Sequence, residues 1–534
     1  MAPRTRPQPA ATRRTRAESR AMQADRRTKI VLLALAALSA LRVVVFALLD
    51  RRPLFGGWEA PDLQRAMFYH YGLRAHLDWT FAEQIARDGF KPPLWYGGVP
   101  LLFGWKDSLG ALDFLLVNAA AMAATVLLVF ALGRRLGGAR GGLLAAATVA
   151  LLPGVAWRIG MVGVEQTHMA LLPFAVLACV ALVEQAHRPQ ARTLGIGVVL
   201  GLTVGVGLLV KWNFGAYIAG PALLALVFGL WGSPRAVLRG IVAAALVATA
   251  IFLAWLVPFA DLADIVQQGV SGESGGEPAS IYLRELVGPA LGPGGWLLLG
   301  LALAGALFGA PPADRGPRPA RDAAVIASAA LGLLLLHALI PHKETRYLLP
   351  ALPLLVALLA WPLGRLAARP RGPAVAWGGV VVLGALSWGA PLLEAPADRF
   401  AWSEVLPAPI RDAYEIDALV AHPSLRERER TVVTFALTGQ GRFPLLTFLH
   451  WELYGRNPNP VLSRSDWDDV TSKACAFDLE RSTHFVAGRP LDPQEQAALR
   501  SMGFELVIRV LPRIDAVPEL ALWALAPTSA PRYR

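Results

Sequence analysis

Apolar stretches of about 17–21 residues recur along the first three quarters of this chain, each long enough to cross about 30 Å of hydrocarbon as a helix. They lie near residues 30–49, 111–132, 141–157, 169–183, 193–210, 214–231, 240–258, 289–309, 323–340, 347–363 and 374–393. Composition agrees: 55% of the chain is hydrophobic, 17% is charged, and mean hydropathy is +0.45. A soluble globule needs more surface charge than that. The expectation is an all-α polytopic membrane protein of about 11 transmembrane helices, with a C-terminal extracytoplasmic α/β domain.

Arginine placement orients the spans. Residues 1–29 carry nine Lys and Arg, and alternate short loops are also basic, as in Arg134, Arg135 and Arg140 or Arg365, Arg369 and Arg371. The intervening loops are neutral or acidic, with Asp261, Asp264, Glu273, Glu277 and Glu285 between one pair of spans. With eleven spans every basic loop falls on one side, which puts the N-terminus in the cytoplasm. The basic pI near 10.1 then reflects membrane orientation, and no nucleic-acid partner is expected. The first span reads as an uncleaved anchor, because no small-residue cleavage site precedes a polar mature start. Arg42 lies inside it, poised either to snorkel outward or to meet a phosphate or carboxylate. Cys179 and Cys475 are too few and too far apart in sequence for a disulfide framework or a metal site.

Three regions follow: a basic cytoplasmic tail over 1–28, a transmembrane core over 29–393 with a large first outer loop at 50–110, and a soluble domain over 394–534. The last carries short alternating or apolar runs at Thr431–Leu437, His484–Ala487, Phe504–Val510 and Leu520–Ala524. Helices are expected near 443–454 and 492–502, the second opened by Asp492-Pro493 as N-cap and first helical residue.

Most of the chemistry sits in the outer loops. In the first, Glu59 and Asp62 lie three residues apart just after a span, near the membrane surface. A carboxylate there can accept a proton from a hydroxyl or hold a cation against a phosphate; Asp62 also suits a helix N-cap. Thr80 and Glu83 have capping-box spacing and open a short interfacial helix. Lys91-Pro92-Pro93-Leu94-Trp95-Tyr96 follows. Taken alone it reads as an interfacial aromatic belt with a snorkelling lysine. Beside a phosphate substrate it reads as a phosphate-contacting lysine with rings that stack on sugar.

Glu165 and His168 share a face of the next helix's first turn, where Glu is also favoured by the helix dipole. Lys211-Trp212-Asn213 is a polar knot between two spans. The densest signal is Pro341-His342-Lys343-Glu344-Thr345-Arg346-Tyr347-Leu348-Leu349-Pro350. Four ionisable residues so close to hydrocarbon are costly without a use. Lys343 and Arg346 can hold a phosphate through charge-assisted bonds, His342 can hydrogen-bond or donate a proton, and Glu344 can orient the cations. Of 51 Lys and Arg only six are lysine, and four of these (Lys91, Lys106, Lys211, Lys343) fall in the loops assigned to the outer side.

The HKETRYLLP run resembles the HKExRF-type motif of the dolichyl-phosphate-mannose-dependent mannosyltransferases. The KPPLWY and KWNFG runs resemble bacterial relatives of the protein O-mannosyltransferases and the lipid A aminoarabinose transferase. All are GT-C class, polyprenyl-phosphate-sugar-dependent glycosyltransferases, and the likeness in layout covers about residues 30–393. It implies inverting transfer of a sugar from a polyprenyl-phosphate donor to a hydroxyl of a lipid, glycan or protein acceptor. The reaction would take place on the extracytoplasmic face of the plasma (inner) membrane. Asp62 aligns with the family's first-loop acid and would be the general base, and Glu165 matches the second-loop acid. Lys91, Lys211, His342, Lys343 and Arg346 would hold the donor phosphate, with His168 and Glu344 in support. Relatives usually carry adjacent acids where this chain has Asp62-Leu63, so Glu59 stays open as the base. A divalent metal cation, held by Asp62 and Glu165, also stays open. The other readings are a transporter or flippase of lipid-linked saccharide, and a diphosphate-donor glycan ligase or polymerase. A transporter usually binds at mid-membrane on broken helices and shows repeats, whereas these charges gather at the ends of spans.

Overall fold

The computed structural model describes residues 10–49, 59–74, 80–87, 89, 91–152, 155, 163–188, 192–260, 278, 280–311, 319–339, 345–393, 416–428, 431–437, 449–450, 452–454, 461–510 and 519–526. Helices dominate as far as residue 393. They are α1 (Ala10–Leu49), α2 (Glu59–Leu73), α3 (Phe81–Arg87), α4 (Leu94–Phe103), α5 (Ala111–Leu151), α6 (Glu165–Ala186) and α7 (Thr193–Val210). Then come α8 (Phe214–Leu230), α9 (Pro234–Phe259), α10 (Ser280–Glu285), α11 (Gly292–Phe308), α12 (Pro319–Leu339), a 3-10 turn (Thr345–Ala351), α13 (Leu352–Ala367) and α14 (Gly372–Leu393).

Among the described residues seven helices are long and apolar enough to cross a membrane, or eight if α10 and α11, bent by 87°, form one span. Each of the eleven expected stretches overlaps a helix among the described residues. The difference has local causes: α8, at 17 residues, and the Gly372–Leu386 part of α14 fall among the shorter apolar helices, and two expected spans run together in α5. There Gly138, at φ 70°, breaks the helical path where a loop was expected. Only glycine takes that conformation without a steric penalty.

Small residues let α5 and α13 approach backbone to backbone. A Cβ at Gly137 would lie 1.8 Å from the Ala360 carbonyl oxygen, and one at Gly364 would lie 2.3 Å from the carbonyl oxygen of Gly137. Gly133, Gly137 and Gly141 repeat at one-turn spacing along this seam, the small-xxx-small pattern of packed membrane helices. Arg42 on α1 is buried, and its Nη1 donates to the Ala150 carbonyl at 2.8 Å. That carbonyl lies in the last turn of α5, where helix geometry supplies no donor. Near the start of α12, Asp322 accepts from Arg135 Nε at 2.9 Å, and Arg135 Nη2 donates to Glu184 at 2.8 Å. This ion cluster ties α5, α6 and α12 together. Glu184 and Glu165 sit at opposite ends of α6, about 28 Å apart at 1.5 Å per residue.

The C-terminal part holds α15 (Ile416–Val420), β1 (Thr431–Ala436), β2 (Val461–Asp466), α16 (Lys473–Leu479), β3 (His484–Ala487), α17 (Pro493–Ser501), β4 (Phe504–Val510) and β5 (Leu520–Leu525). The strands form one sheet in the order β2-β1-β3-β5-β4, with β1 parallel to β2 and β3, and β5 antiparallel to β3 and β4. The central strands β1, β3 and β5 are buried throughout, as expected of strands covered on both faces. Four of the five match the runs read from sequence. The edge strand β2 was not expected, because only Val461 and Leu462 of its six residues are apolar. Asp492 caps α17 in a full capping box with Glu495. Of the helix expected near 443–454, only 449–450 and 452–454 lie within the described residues, and these are helical.

The sheet docks on α2. Tyr71 donates its hydroxyl proton to the Val461 carbonyl at 2.6 Å and accepts the Val461 N–H at 3.1 Å. A relay runs beside it: Leu109 N–H donates to the Tyr454 hydroxyl, which meets His70 Nδ1 at 2.8 Å, and His70 Nε2 donates to the Lys106 carbonyl. His450 is fully buried against Phe68, with Nε2 3.1 Å from the Val461 carbonyl and Nδ1 3.4 Å from Gln64 Nε2.

Candidate active site

Asp62 and Arg65 stand one turn apart on α2, which brings them to the same face. Asp62 is buried, and its Oδ1 accepts the Tyr96 hydroxyl proton at 2.9 Å. Tyr96 is the third residue of α4, a helix that begins immediately after Pro92-Pro93. Proline tolerates the position before a first turn because its missing N–H is not needed there. Trp95 packs edge-on to Tyr96, and the Arg65 guanidinium lies over the Tyr96 ring, 5.2 Å from its centroid. Burial, reinforced by Asp62, pushes the Tyr96 hydroxyl well above the usual phenol range. Tyr96 therefore stays protonated and keeps donating.

Lys91 lies just ahead of this turn. Its ammonium is held below the ordinary lysine value, first by burial and then by the positive charges of Arg65, Lys211 and Arg346, with Asp62 acting in the opposite direction. A single lysine thus feels groups from α2, the α7–α8 connection and the 3-10 turn.

Those distant groups form the second half of the cluster. Glu165 opens α6 and is buried; Lys211 Nζ donates to its Oε1 at 2.7 Å, and Arg346 Nε lies 3.8 Å from the same oxygen. The Tyr347 ring lies beneath both cations, with Lys211 Nζ 4.1 Å and the Arg346 guanidinium carbon 5.5 Å from its centroid. Among the described residues, four cations thus share the region with two carboxylates. Breaking one member of such a buried set would leave an uncompensated charge.

The other expected site residues are placed as follows. His168 is buried, with Nε2 3.2 Å from the Gly207 carbonyl and its ring 4.8 Å from that of Phe214. It fastens α6 to the end of α7. Lys106 binds Asp113 at 2.7 Å, near the start of α5. The side chain of Glu59, and all of His342, Lys343 and Glu344, lie outside the described residues. Asp62 and Glu165 each have one oxygen committed, to Tyr96 and to Lys211. No group of three His, Cys, Asp or Glu side chains suited to a metal occurs among the described residues.

Three contributors escape a reading by motif. Arg65 was findable from its spacing to Asp62. Tyr347 sits beside Arg346 in the same motif, and Tyr96 within KPPLWY gave no hint of its bond to Asp62.

Residues 107–257, which include Glu165, His168 and Lys211, match the family model described as dolichyl-phosphate-mannose-protein mannosyltransferase. The whole chain is similar in structure to ArnT from Cupriavidus metallidurans bound to undecaprenyl phosphate, with a TM-score of 0.57 and 16% identity, covering 94% of this chain and 98% of that one. The fold is that of a GT-C glycosyltransferase. The apo form of the same GT-C enzyme gives the same TM-score over 95% of this chain and 100% of that one. Arabinofuranosyltransferase AftD from Mycobacteria aligns at a TM-score of 0.53 and 16% identity, over 94% of this chain but only 40% of AftD. No curated protein matches by sequence. A mannosyltransferase family model thus matches residues 107–257, and the chain as a whole shares the fold of ArnT and AftD.

Proposed function

We propose that this protein transfers a sugar from a polyprenyl-phosphate donor to an acceptor hydroxyl, with inversion, and that Asp62 is the general base. The observation that carries the reading is the cluster itself. One buried carboxylate on α2 shares an electrostatic neighbourhood with Lys91, Lys211 and Arg346, drawn from three separate parts of the chain. A phosphate needs cations and an acceptor hydroxyl needs a base, and the two lie side by side. The family match and the undecaprenyl phosphate in the structurally similar ArnT support the same donor class.

In the proposed reaction the acceptor oxygen attacks the anomeric carbon and gives its proton to Asp62. The bond from that carbon to the phosphate oxygen breaks, and the polyprenyl phosphate leaves with the electron pair. Lys91, Lys211 and Arg346 stabilise the negative charge gathering on that phosphate, the effect preorganised cations produce in a water-poor site. Tyr96 fixes one oxygen of Asp62 and leaves the other for the acceptor. His342 and Lys343 belong to the same proposed phosphate site and Glu344 to its support. Glu59 is the second candidate for the base. The site faces the extracytoplasmic side of the inner membrane if the arginine-rich loops are cytoplasmic.

The test is transfer by purified protein from a polyprenyl-phosphate sugar. Asp62→Asn keeps the hydrogen bond from Tyr96 and removes the base, so turnover should fall by about 10²–10⁴-fold. Full turnover in that variant removes Asp62 from the role and moves the test to Glu59→Gln. Movement of an intact lipid-linked saccharide without bond cleavage would instead support a flippase.

A further inference from the structure

His337 lies near the end of α12, two residues before Leu339, in the apolar second half of that helix and almost completely buried. The transfer steps above make no use of it. An ionisable residue at such a place is costly and is retained where it serves a purpose. Its ring also lies 5.6 Å from that of Tyr217 and 6.4 Å from that of Tyr282, and two of its contacts lead toward the site. The imidazole Nε2 lies 2.7 Å from the Tyr217 hydroxyl of α8, and the ring stacks on Tyr347 with centroids 4.5 Å apart and planes 23° from parallel. Tyr347 in turn carries the Lys211 ammonium on its ring.

We infer that His337 is a positioning residue for the donor-phosphate cations, acting through the Tyr347 ring. The inference rests on the proposed function, since it concerns the same phosphate site. The chain of contacts runs from Tyr217 through His337 and Tyr347 to Lys211, and from Lys211 to Glu165. Lys211 is pulled by the Glu165 carboxylate on one side and by the face of Tyr347 on the other. A cation over an aromatic face is attracted by the ring quadrupole, more strongly when water is excluded. That attraction holds Lys211 in place only while the Tyr347 ring keeps its plane. The stacked imidazole sets the plane, and the hydrogen bond to Tyr217 sets the imidazole. Without the stack the ring loses the neighbour that faces it, and Lys211 shifts toward Glu165, where it serves a phosphate less well.

Histidine combines a flat ring with a polar edge, and two substitutions separate these features. His337→Phe keeps a ring against Tyr347 and loses the bond to Tyr217. His337→Gln keeps a polar group toward Tyr217 and loses the stack. The measurement is kcat and the separate KM values for donor and acceptor, with thermal midpoints taken alongside. In His337→Gln and His337→Ala the donor KM should rise roughly three- to thirtyfold, the range expected from losing one ordered cation–ring contact. Acceptor KM should stay level. In His337→Phe, which keeps the ring but loses its tether to Tyr217, the donor KM should rise clearly less than in His337→Gln.

A lower thermal midpoint with unchanged donor KM in the Gln and Ala variants would reduce His337 to a packing role and overturn the inference. So would equal losses in the Phe and Gln variants. Should the parent protein transfer no sugar, the proposed function fails instead. Binding of polyprenyl phosphate alone, read by intrinsic fluorescence in the same variants, then still decides whether His337 orders an anion site.

Discussion

Lys91 shows how one side chain reports on a whole site. Its ammonium is depressed by burial and by three neighbouring cations, while Asp62 favours its charged form. If Lys91 holds the donor phosphate, it must carry its proton to do so. As pH rises through the lowered value the ammonium becomes neutral, and donor binding weakens at a pH where an ordinary lysine would still be charged. Donor KM should therefore climb on the alkaline side earlier than a model lysine predicts. Lys91→Arg, which stays protonated throughout that range, should remove this alkaline limb even if its affinity at neutral pH is lower. A limb that persists unchanged in Lys91→Arg would assign the titration elsewhere. Lys106 marks the limit of reasoning from residue type. It shares the loop with Lys91, yet it neutralises Asp113 at the start of α5, and nothing in its spacing distinguishes it from a phosphate ligand.

At the scale of elements, α2 has two jobs on two faces. Asp62 and Arg65 turn toward the site, while Gln64, His70 and Tyr71 meet the C-terminal sheet and its flanking helix. Tyr71→Phe takes the acceptor from the Val461 N–H and leaves the Val461 carbonyl with His450 alone. Leaving a buried main-chain N–H unpaired costs about 1–3 kcal/mol. That variant should loosen the C-terminal part, seen as faster cleavage by a protease added to the folded protein. If Asp62 depends on α2 being held, kcat should fall in parallel; a variant cut faster yet fully active would separate docking from catalysis.

Local signals were legible in sequence wherever the physics is local. Thr80 and Glu83 cap α3 as their spacing predicts, and Asp492 caps α17. The Tyr71–Val461 and Gln64–His450 contacts join residues nearly four hundred positions apart. No periodicity encodes such pairings. The edge strand β2 fails for another reason: its polar residues carry no alternation to read, and its place comes from pairing with β1.

For the molecule as a whole, the apolar stretches and the order of arginine-rich loops were enough to read a helical membrane protein. They did not give the number of separate helices, because Gly138 bends α5 where a loop was expected. The gathering of Asp62, Glu165, Lys211 and Arg346 was legible only as a set of candidates. Their convergence depends on how α2, α6, α7 and the 3-10 turn pack, and a list of motifs does not contain that. His337 was missed although a histidine inside an apolar helix is a signal in its own right.

The glycine seam between α5 and α13 has a mechanical reading. α13 follows directly from the turn that bears Arg346 and Tyr347, so the two form one rod, and the seam is its fulcrum. Ala360, the point of contact, is fourteen residues beyond Arg346, or about 21 Å at helical rise. A single methyl at Gly137 cannot fit against the Ala360 carbonyl, so Gly137→Ala must tilt the rod. A tilt at the fulcrum becomes a larger swing at the far end, where the phosphate cations ride. Gly137→Ala should thus raise donor KM several-fold from about 21 Å away, with acceptor KM changed less. Distance from the chemistry offers this seam no protection from selection, because the lever arm carries any error to the site.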